Sequence, residues 1–542
     1  MESLAQDLRQ MQRMPLHSSH IECIESLGEP QRFEAGEYVF QVGEPMDRFV
    51  YVVAGEIELV NPLTGERQMP HGLGPTQFAG EISFLNGGTV TMALRASMVT
   101  DTIIVPRAAM LEAMSRIPEM SDIIITVFSA RRRRLLEDQN SALTLVGSDA
   151  TPAMRAIDAF VTRNRIPVNR LSIGCDEATK KTDACGLQPS QPAVLFGKDQ
   201  VLDSPTPAKI AKLLGFDLAL DESTNVDLVI VGGGPAGVAA AVYAGAEGLS
   251  ALVVDATAIG GQAGTSSRIE NYMGFPTGIS GADLVWRGSV QALKFGSRFA
   301  VPRTVVAIVR SDNEFLLTLD DASRIRARSV LVATGVQYRR LPLERLADLE
   351  GAGSYYAATE SEARYCRETD VIIVGGGNSA GQAAMYLSRT ANHVHVLVRR
   401  DSLADSMSDY LASRLHADPK ISIHFETEID ALHGSDQLTG VDVTRKRVTE
   451  TQHIACGALF LMVGAAPNTQ WLAELVALDP RGFVRTGADV NKDSPFATSR
   501  DGIYAVGDVR AGSVKRVASS VGEGSVVISA IWQYLHVEDE AH

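Results

Sequence analysis

Two stretches constrain this chain more than any others in it. DLVIVGGGPAGVAA (227–240) and VIIVGGGNSAGQAA (371–384) each run from an apolar strand through a glycine-rich turn into a helix. A further apolar strand follows each helix, the first closing on Asp255 and the second on Arg399 and Arg400. Units of this kind build parallel sheets with crossover helices and set a pyrophosphate at the helix N-terminus, where free N–H groups and the dipole favour an anion. In the first unit Gly232 allows the tight turn, Gly234 lets the backbone approach the pyrophosphate, and Gly237 lets the helix pack on its strand. In the second, Gly375, Gly377 and Ala380 make the GxGxxA form, with Ser379 at the helix start. The chain is therefore read as α/β, with two dinucleotide sites.

The residue closing each second strand separates the two nucleotides. Asp255 is placed to accept from a ribose hydroxyl, as an FAD site requires. An acid would repel a 2′-phosphate, whereas the guanidiniums of Arg399 and Arg400 can bind one, so the second site suits NADPH. An electron carrier is expected between two redox cofactors. The residues ahead of the second turn, YYAATESEARYC (355–366), contain one cysteine, Cys366.

Composition narrows the class. Of 542 residues, 45% are hydrophobic and 21% charged, a globular balance with room for several domains. No apolar run is long enough for a membrane helix, and the N-terminus lacks an apolar signal core, so a cytoplasmic protein is expected. A net charge of −15 argues against nucleic-acid binding, and the basic run Arg131 to Arg134 reads as a solvated helix face. Five scattered cysteines with no CxxC support neither a disulfide framework nor a metal site.

Residues 34–60 alternate short apolar runs with Gly-Glu turns, and FAGEISFLNGG follows at 78–88. This part, 1–140, resembles the cyclic-nucleotide-binding jelly roll. The resemblance assigns the ribose 2′-hydroxyl to Glu81 and expects a phosphate-binding arginine about ten residues later. Thr89, Val90, Thr91 and Met92 stand there instead. Burying a phosphate without a cation is costly, which leaves an altered nucleotide-like ligand or a purely structural module. Residues 141–220 resemble a glutaredoxin- or thioredoxin-type fold in element order, with Gln191-Pro192 at its proline loop and GSDATPAM where a CxxC would stand. Cys175 and Cys185 flank a helix that holds them roughly 15 Å apart, beyond disulfide reach. A docking role or a spacer is expected of this unit.

Residues 226–542 resemble the low-molecular-weight thioredoxin reductases. GGQAGTSSRIENYMGFPTGISG (260–281) matches their flavin-cradling segment. LVATGV (331–336) and FLMVGAAPNT (460–469) match their returns between domains, and GIYAVGDVRAG (502–512) their second FAD motif. The resemblance implies that Gly261, Gln262 and Asn271 approach FAD and that Asp508 meets the ribityl chain. It also implies a homodimer and an FAD domain (221–340 and 466–542) interrupted by an NADPH domain (341–465). The expected fold is thus two Rossmann-like domains, one inserted in the other, behind a jelly roll and a small thioredoxin-like domain. In that family the redox pair CxxC falls on Ala357-Ala358-Thr359-Glu360, so both thiols are missing. Glu360 reads as a solvated or helix-capping residue, with proton donation near the flavin as the alternative.

Without the dithiol, the expectation is an NADPH-dependent flavoprotein that passes electrons from FAD to an external acceptor: a ferredoxin or flavodoxin, a quinone, or a disulfide. A ligand-gated redox sensor with slow turnover is one alternative. A disulfide reductase using other cysteines is the second. The sequence nominates no catalytic side chain.

Overall fold

The computed structural model describes residues 14–540 apart from 61–64, 70, 81, 82, 91, 139–142, 189, 190, 198, 199, 215–217, 219, 267, 268, 270, 312, 357, 359, 405 and 447. Glu81, Thr91, Ala357 and Thr359 therefore lie outside the described residues.

The first unit is a jelly roll of two sheets, one ordering strands 29–33, 100–106, 48–54 and 78–79, the other 38–40, 93–96 and 57–60. Phe49, Phe78, Phe84 and Phe128 fill it with stacked and edge-on rings, the geometry aromatic pairs favour. A four-residue helix, α1 (Ser83–Asn86), follows the FAGE segment. Arg131 does not project as part of a solvated face. Its Nη1 donates to the Gly80 carbonyl at 2.8 Å, and the guanidinium lies over Phe78. Arg95 is also committed, to the buried carboxylate of Glu58 on the paired strand. It is not free for a phosphate.

The second unit places strand 143–146 centrally, parallel to 169–171 and antiparallel to 193–196, with 200–201 at the edge. Helix α2 (Pro152–Arg163) starts at Thr151, whose hydroxyl accepts from the Met154 N–H, and Pro152 suits the first turn. Cys175 and Cys185 sit at the two ends of α3 (Asp176–Ala184), and neither is in a disulfide. The Gln191–Pro192 bond is not the cis one; Val301–Pro302 is. The Thr89 N–H of the jelly roll donates to the Leu214 carbonyl, tying this unit to the end of the FAGE segment.

The third unit is a sheet in which β1 (Asn225–Val231) lies between β2 (Ala251–Val254) and β3 (Arg324–Val332), all parallel. The late strand β6 (Ile503–Ala505) adds to β3. Helix α4 (Pro235–Ala246) covers one face with α5 (Gly281–Lys294) and the terminal α8 (Val517–Glu540). In the fourth unit, five parallel strands include β4 (Val371–Val374) and β5 (Val394–Val398), with α6 (Asn378–Leu387) and α7 (Asp409–Ala417) packed on them. A three-stranded meander over 427–455 closes its other side. Where the chain passes between units three and four, 336–338 pairs antiparallel with 465–467. No helix of the described residues is long and apolar enough to cross a membrane.

Candidate functional site

The chemistry sits where β1 and β4 end. At the first turn Gly232 takes φ +111°, and a Cβ there would strike the Ala333 carbonyl. A Cβ on Gly237 would collide with the Gly232 carbonyl, so only glycine lets α4 come this close to its strand. Around Gly234, the N-cap of α4, an added Cβ would meet nothing within 4 Å. The backbone there faces open space, as a cradle for a pyrophosphate must.

Asp255 lines this space, but its carboxylate has a second task. Oδ2 accepts from the Gly233 N–H at 2.8 Å, and Oδ1 from the N–H groups of Thr257 and Ala258 at 2.8 and 3.0 Å. The acid read from the sequence as a ribose partner thus also fixes the turn and the loop after β2. Gly261, at φ +53°, crosses the first turn so closely that a Cβ would lie 3.1 Å from the Gly234 Cα. Gln262 Nε2 donates to the Val336 carbonyl, anchoring the cradle to the ribbon between units. Asn271 lines the same cleft and is exposed. Asp508 lines it from the far side; burial raises its carboxyl above the usual carboxylate range, and Lys515 opposes that shift. Beside it, the Gly507 N–H donates to Glu523, which also pairs with Arg510 at 2.6 Å.

The second turn repeats the geometry. Gly375 takes φ +146° against the Met462 carbonyl, Gly377 caps α6, and Ala380 is buried where the first unit has its third glycine. Arg399 and Arg400 are exposed just after β5, and neither guanidinium has an ion-pair partner among the described residues. Ser379 is exposed at the start of α6.

One cleft of about 1160 Å³ is lined by Gly232, Gly234 and Asp255 of the first turn and by Asn378 and Ser379 at the start of α6 and Tyr410 of α7, while Gly375 and Gly377 do not line it. None of its described lining residues is a cysteine. Ala358 is buried in the core of the fourth unit, and Glu360 opens the short helix Glu360–Ala363. Cys366 is fully buried, its thiol pushed up to about 12 by burial and by Glu362, whose carbonyl accepts from Sγ. Burial and Asp370 likewise push buried Cys456 up to about 12. Thiols in this state are poor nucleophiles.

Sequence reading missed several members of the cleft. Arg163 arrives from the end of α2, and Tyr410 from α7, with no motif to mark either. His433, Asp442 and His453 also escaped notice; they cluster on the meander, with Asp442 oxygens 2.7 and 2.8 Å from the two rings. None of the three lines the cleft.

Comparison with known proteins agrees with this geometry. Residues 226–524 match the family described as pyridine nucleotide-disulphide oxidoreductase, and residues 30–117 match the cyclic nucleotide-binding domain. The thioredoxin reductase of Streptomyces clavuligerus is 33% identical over 299 residues, 55% of this chain and 90% of that protein. That of Treponema pallidum is 32% identical over 312 residues, 58% of this chain and 98% of that one. Among solved structures, Lactococcus lactis thioredoxin reductase in its FR conformation superposes with a TM-score of 0.53 at 26% identity, covering 57% of this chain and 99% of that one. Proteins of this family use FAD and NADPH, and the glycine cradles fit both. The chain belongs to the pyridine nucleotide-disulphide oxidoreductase family, as a thioredoxin reductase-like flavoprotein that carries a cyclic nucleotide-binding domain.

Proposed function

We propose that this protein is an NADPH-dependent FAD oxidoreductase that delivers electrons from its flavin directly to an external acceptor. The observation that carries this reading is the shared cleft: the first glycine turn and the start of α6, directly after the second turn, both line it, and its described lining contains no thiol. The α4 N-terminus with Gly232, Gly234 and Gly237 holds the FAD pyrophosphate, and Asp255 the adenosine ribose. Gly261, Gln262, Asn271 and Asp508 support the flavin end. Gly375, Gly377, Ser379 and Ala380 present the α6 N-terminus to the NADPH pyrophosphate, while Arg399 and Arg400 take its 2′-phosphate.

When bound, the two cofactors supply hydride transfer and electron delivery, which need no catalytic side chain. The chain's part is to hold them in one cleft and to fix the cradle through Asp255 and Gln262. Buried Cys366 and Cys456 do not replace the dithiol absent from the Ala357 to Glu360 segment. The acceptor belongs to one of three classes: a ferredoxin or flavodoxin, a quinone, or an external disulfide. The protein works as a homodimer, in the manner of the family it resembles.

A gated version of the same activity has one observation in its favour. The chain following the FAGE residues is tied twice, through α1 against α5 of the FAD unit and through the Thr89 N–H to the Leu214 carbonyl of the second unit. A nucleotide-like ligand near Glu81 would act on the cleft through these contacts.

Anaerobic titration of the FAD-loaded protein with NADPH tests the reading. Loss of the oxidised-flavin absorbance at one two-electron equivalent per flavin is expected. Uptake of a second equivalent, with appearance of new free thiols, would show that a disulfide takes part and would overturn direct delivery.

A further inference from the structure

One residue lining the cleft, Arg163, comes from outside the matched family span. Helix α2 ends in Arg163, Asn164 and Arg165, and Arg165, at φ +52°, turns the chain sharply. Both residues after Arg163 are tied to the FAD unit. Asn164 Nδ2 donates to the Thr257 carbonyl at 3.0 Å, two residues past Asp255, and to the Phe160 carbonyl of its own helix. Arg165 is ion-paired with Asp283 in the first turn of α5 and lies 5.8 Å from the centre of the Trp286 ring. The corner is thus clamped to the loop after β2 and to α5.

Held by this clamp, Arg163 lines the cleft alongside Gly234, Thr257 and Gly261. It is exposed, and its guanidinium has neither ion pair nor hydrogen bond among the described residues. Another cation on the cleft wall, Arg303, is by contrast neutralised by Asp321. The charge nearest the first turn is that of Asp255, which opposes a bound pyrophosphate. An unpaired guanidinium on the same cleft lining supplies the missing counter-charge, in a form suited to bidentate contact with phosphate oxygens. The ordinary role of a cation in a last helical turn is to offset the helix dipole, which any lysine would serve and which would place no requirement on FAD.

We infer that Arg163, carried by the thioredoxin-like unit and positioned by Asn164 and Arg165, forms part of the FAD pyrophosphate site. This rests on the assignment of the first glycine turn to FAD. The second unit, with no CxxC of its own, then serves the flavin site by completing its anion-binding wall.

The test is titration of the apo full-length protein with FAD, followed by flavin fluorescence, for wild type, Arg163→Ala and Arg163→Lys, with melting temperature as a control. Arg163→Ala is expected to raise the FAD Kd by about tenfold or more, the worth of one charge-assisted hydrogen bond. Arg163→Lys should recover part of the loss, and riboflavin, which has no phosphate, should bind all three proteins equally. Because Arg163 is exposed and unpaired, the melting temperature of the apo protein should not move. An unchanged FAD Kd in Arg163→Ala, or an equal loss of riboflavin affinity, would overturn the inference while leaving the flavoprotein reading in place. A wild-type chain that took up no FAD would overturn both.

Discussion

Arg399 and Arg400 stand exposed and unpaired after β5, so their replacement should leave the fold intact. Their joint change to glutamate is expected to lower kcat/KM for NADPH by about 10- to 100-fold while sparing NADH, the scale of lost charge-assisted contacts. Steady-state kinetics with both coenzymes and one artificial acceptor measures this; equal losses for the two would contradict the 2′-phosphate assignment. The turn glycines were legible because backbone clearance is a local demand, met at Gly232, Gly237 and Gly375. The second task of Asp255 was not, since its three N–H donors converge on it only once the Gly233 turn and the 257–258 loop have folded against each other. Cys366, the one cysteine ahead of the second turn, is fully buried beside the Glu362 carbonyl. Arg131 was misread because nothing in a run of four arginines shows which one points inward to Gly80 and Phe78.

At the scale of elements, the jelly roll shows how a turn is locked. Glu56, between strands 48–54 and 57–60, is held down to about 2, first by the Arg67 guanidinium and then by the Ser97 hydroxyl, with the Gly72 N–H adding to both. A carboxyl depressed in the folded state contributes stability that is fully present above its ordinary value of 4.5 and lost as pH falls toward 2. The jelly roll should therefore lose melting temperature across that window, and Glu56→Gln should flatten the loss, as thermal scans at a series of pH values would show. A variant with the same acid profile as wild type would place the effect elsewhere. Apolar alternation and turn glycines made these strands readable in sequence. Partners such as Glu58 and Arg95, 37 positions apart, were not readable, because strand register is set by the whole sandwich.

For the molecule as a whole, the least legible feature was how the four units meet. Trp286, Val290 and Leu293 of α5 pack against the jelly-roll core, and Lys294 pairs with Asp122 across the same boundary at 2.5 Å. Such contacts leave no periodic signature, because one face of an amphipathic helix looks alike whichever domain covers it. Trp286 also lies under Arg165, so it joins three units. Trp286→Ala in the full-length chain is expected to cost about 3–4 kcal/mol of interdomain packing, the lower part of the range for deleting a large aromatic. Limited proteolysis should then release the N-terminal half faster than from wild type. Unchanged proteolysis would mean that the polar ties at Asn164, Thr89 and Lys294 alone hold the units together.

The sheet that carries the first glycine turn is finished late. Its strand β6 and the helix α8, whose Gly524 packs against the Ala236 carbonyl, come from the last 40 residues of the chain, whereas β1 to β3 are complete by Val332. At a synthesis rate of about 5–20 residues per second, the half-built sheet waits roughly ten seconds or more on the ribosome before it can close. During that interval the first, second and fourth units can each fold from contiguous chain. The sheet that presents Gly232 and Asp255 cannot, because β6 reaches β3 only after the whole of the fourth unit has been made.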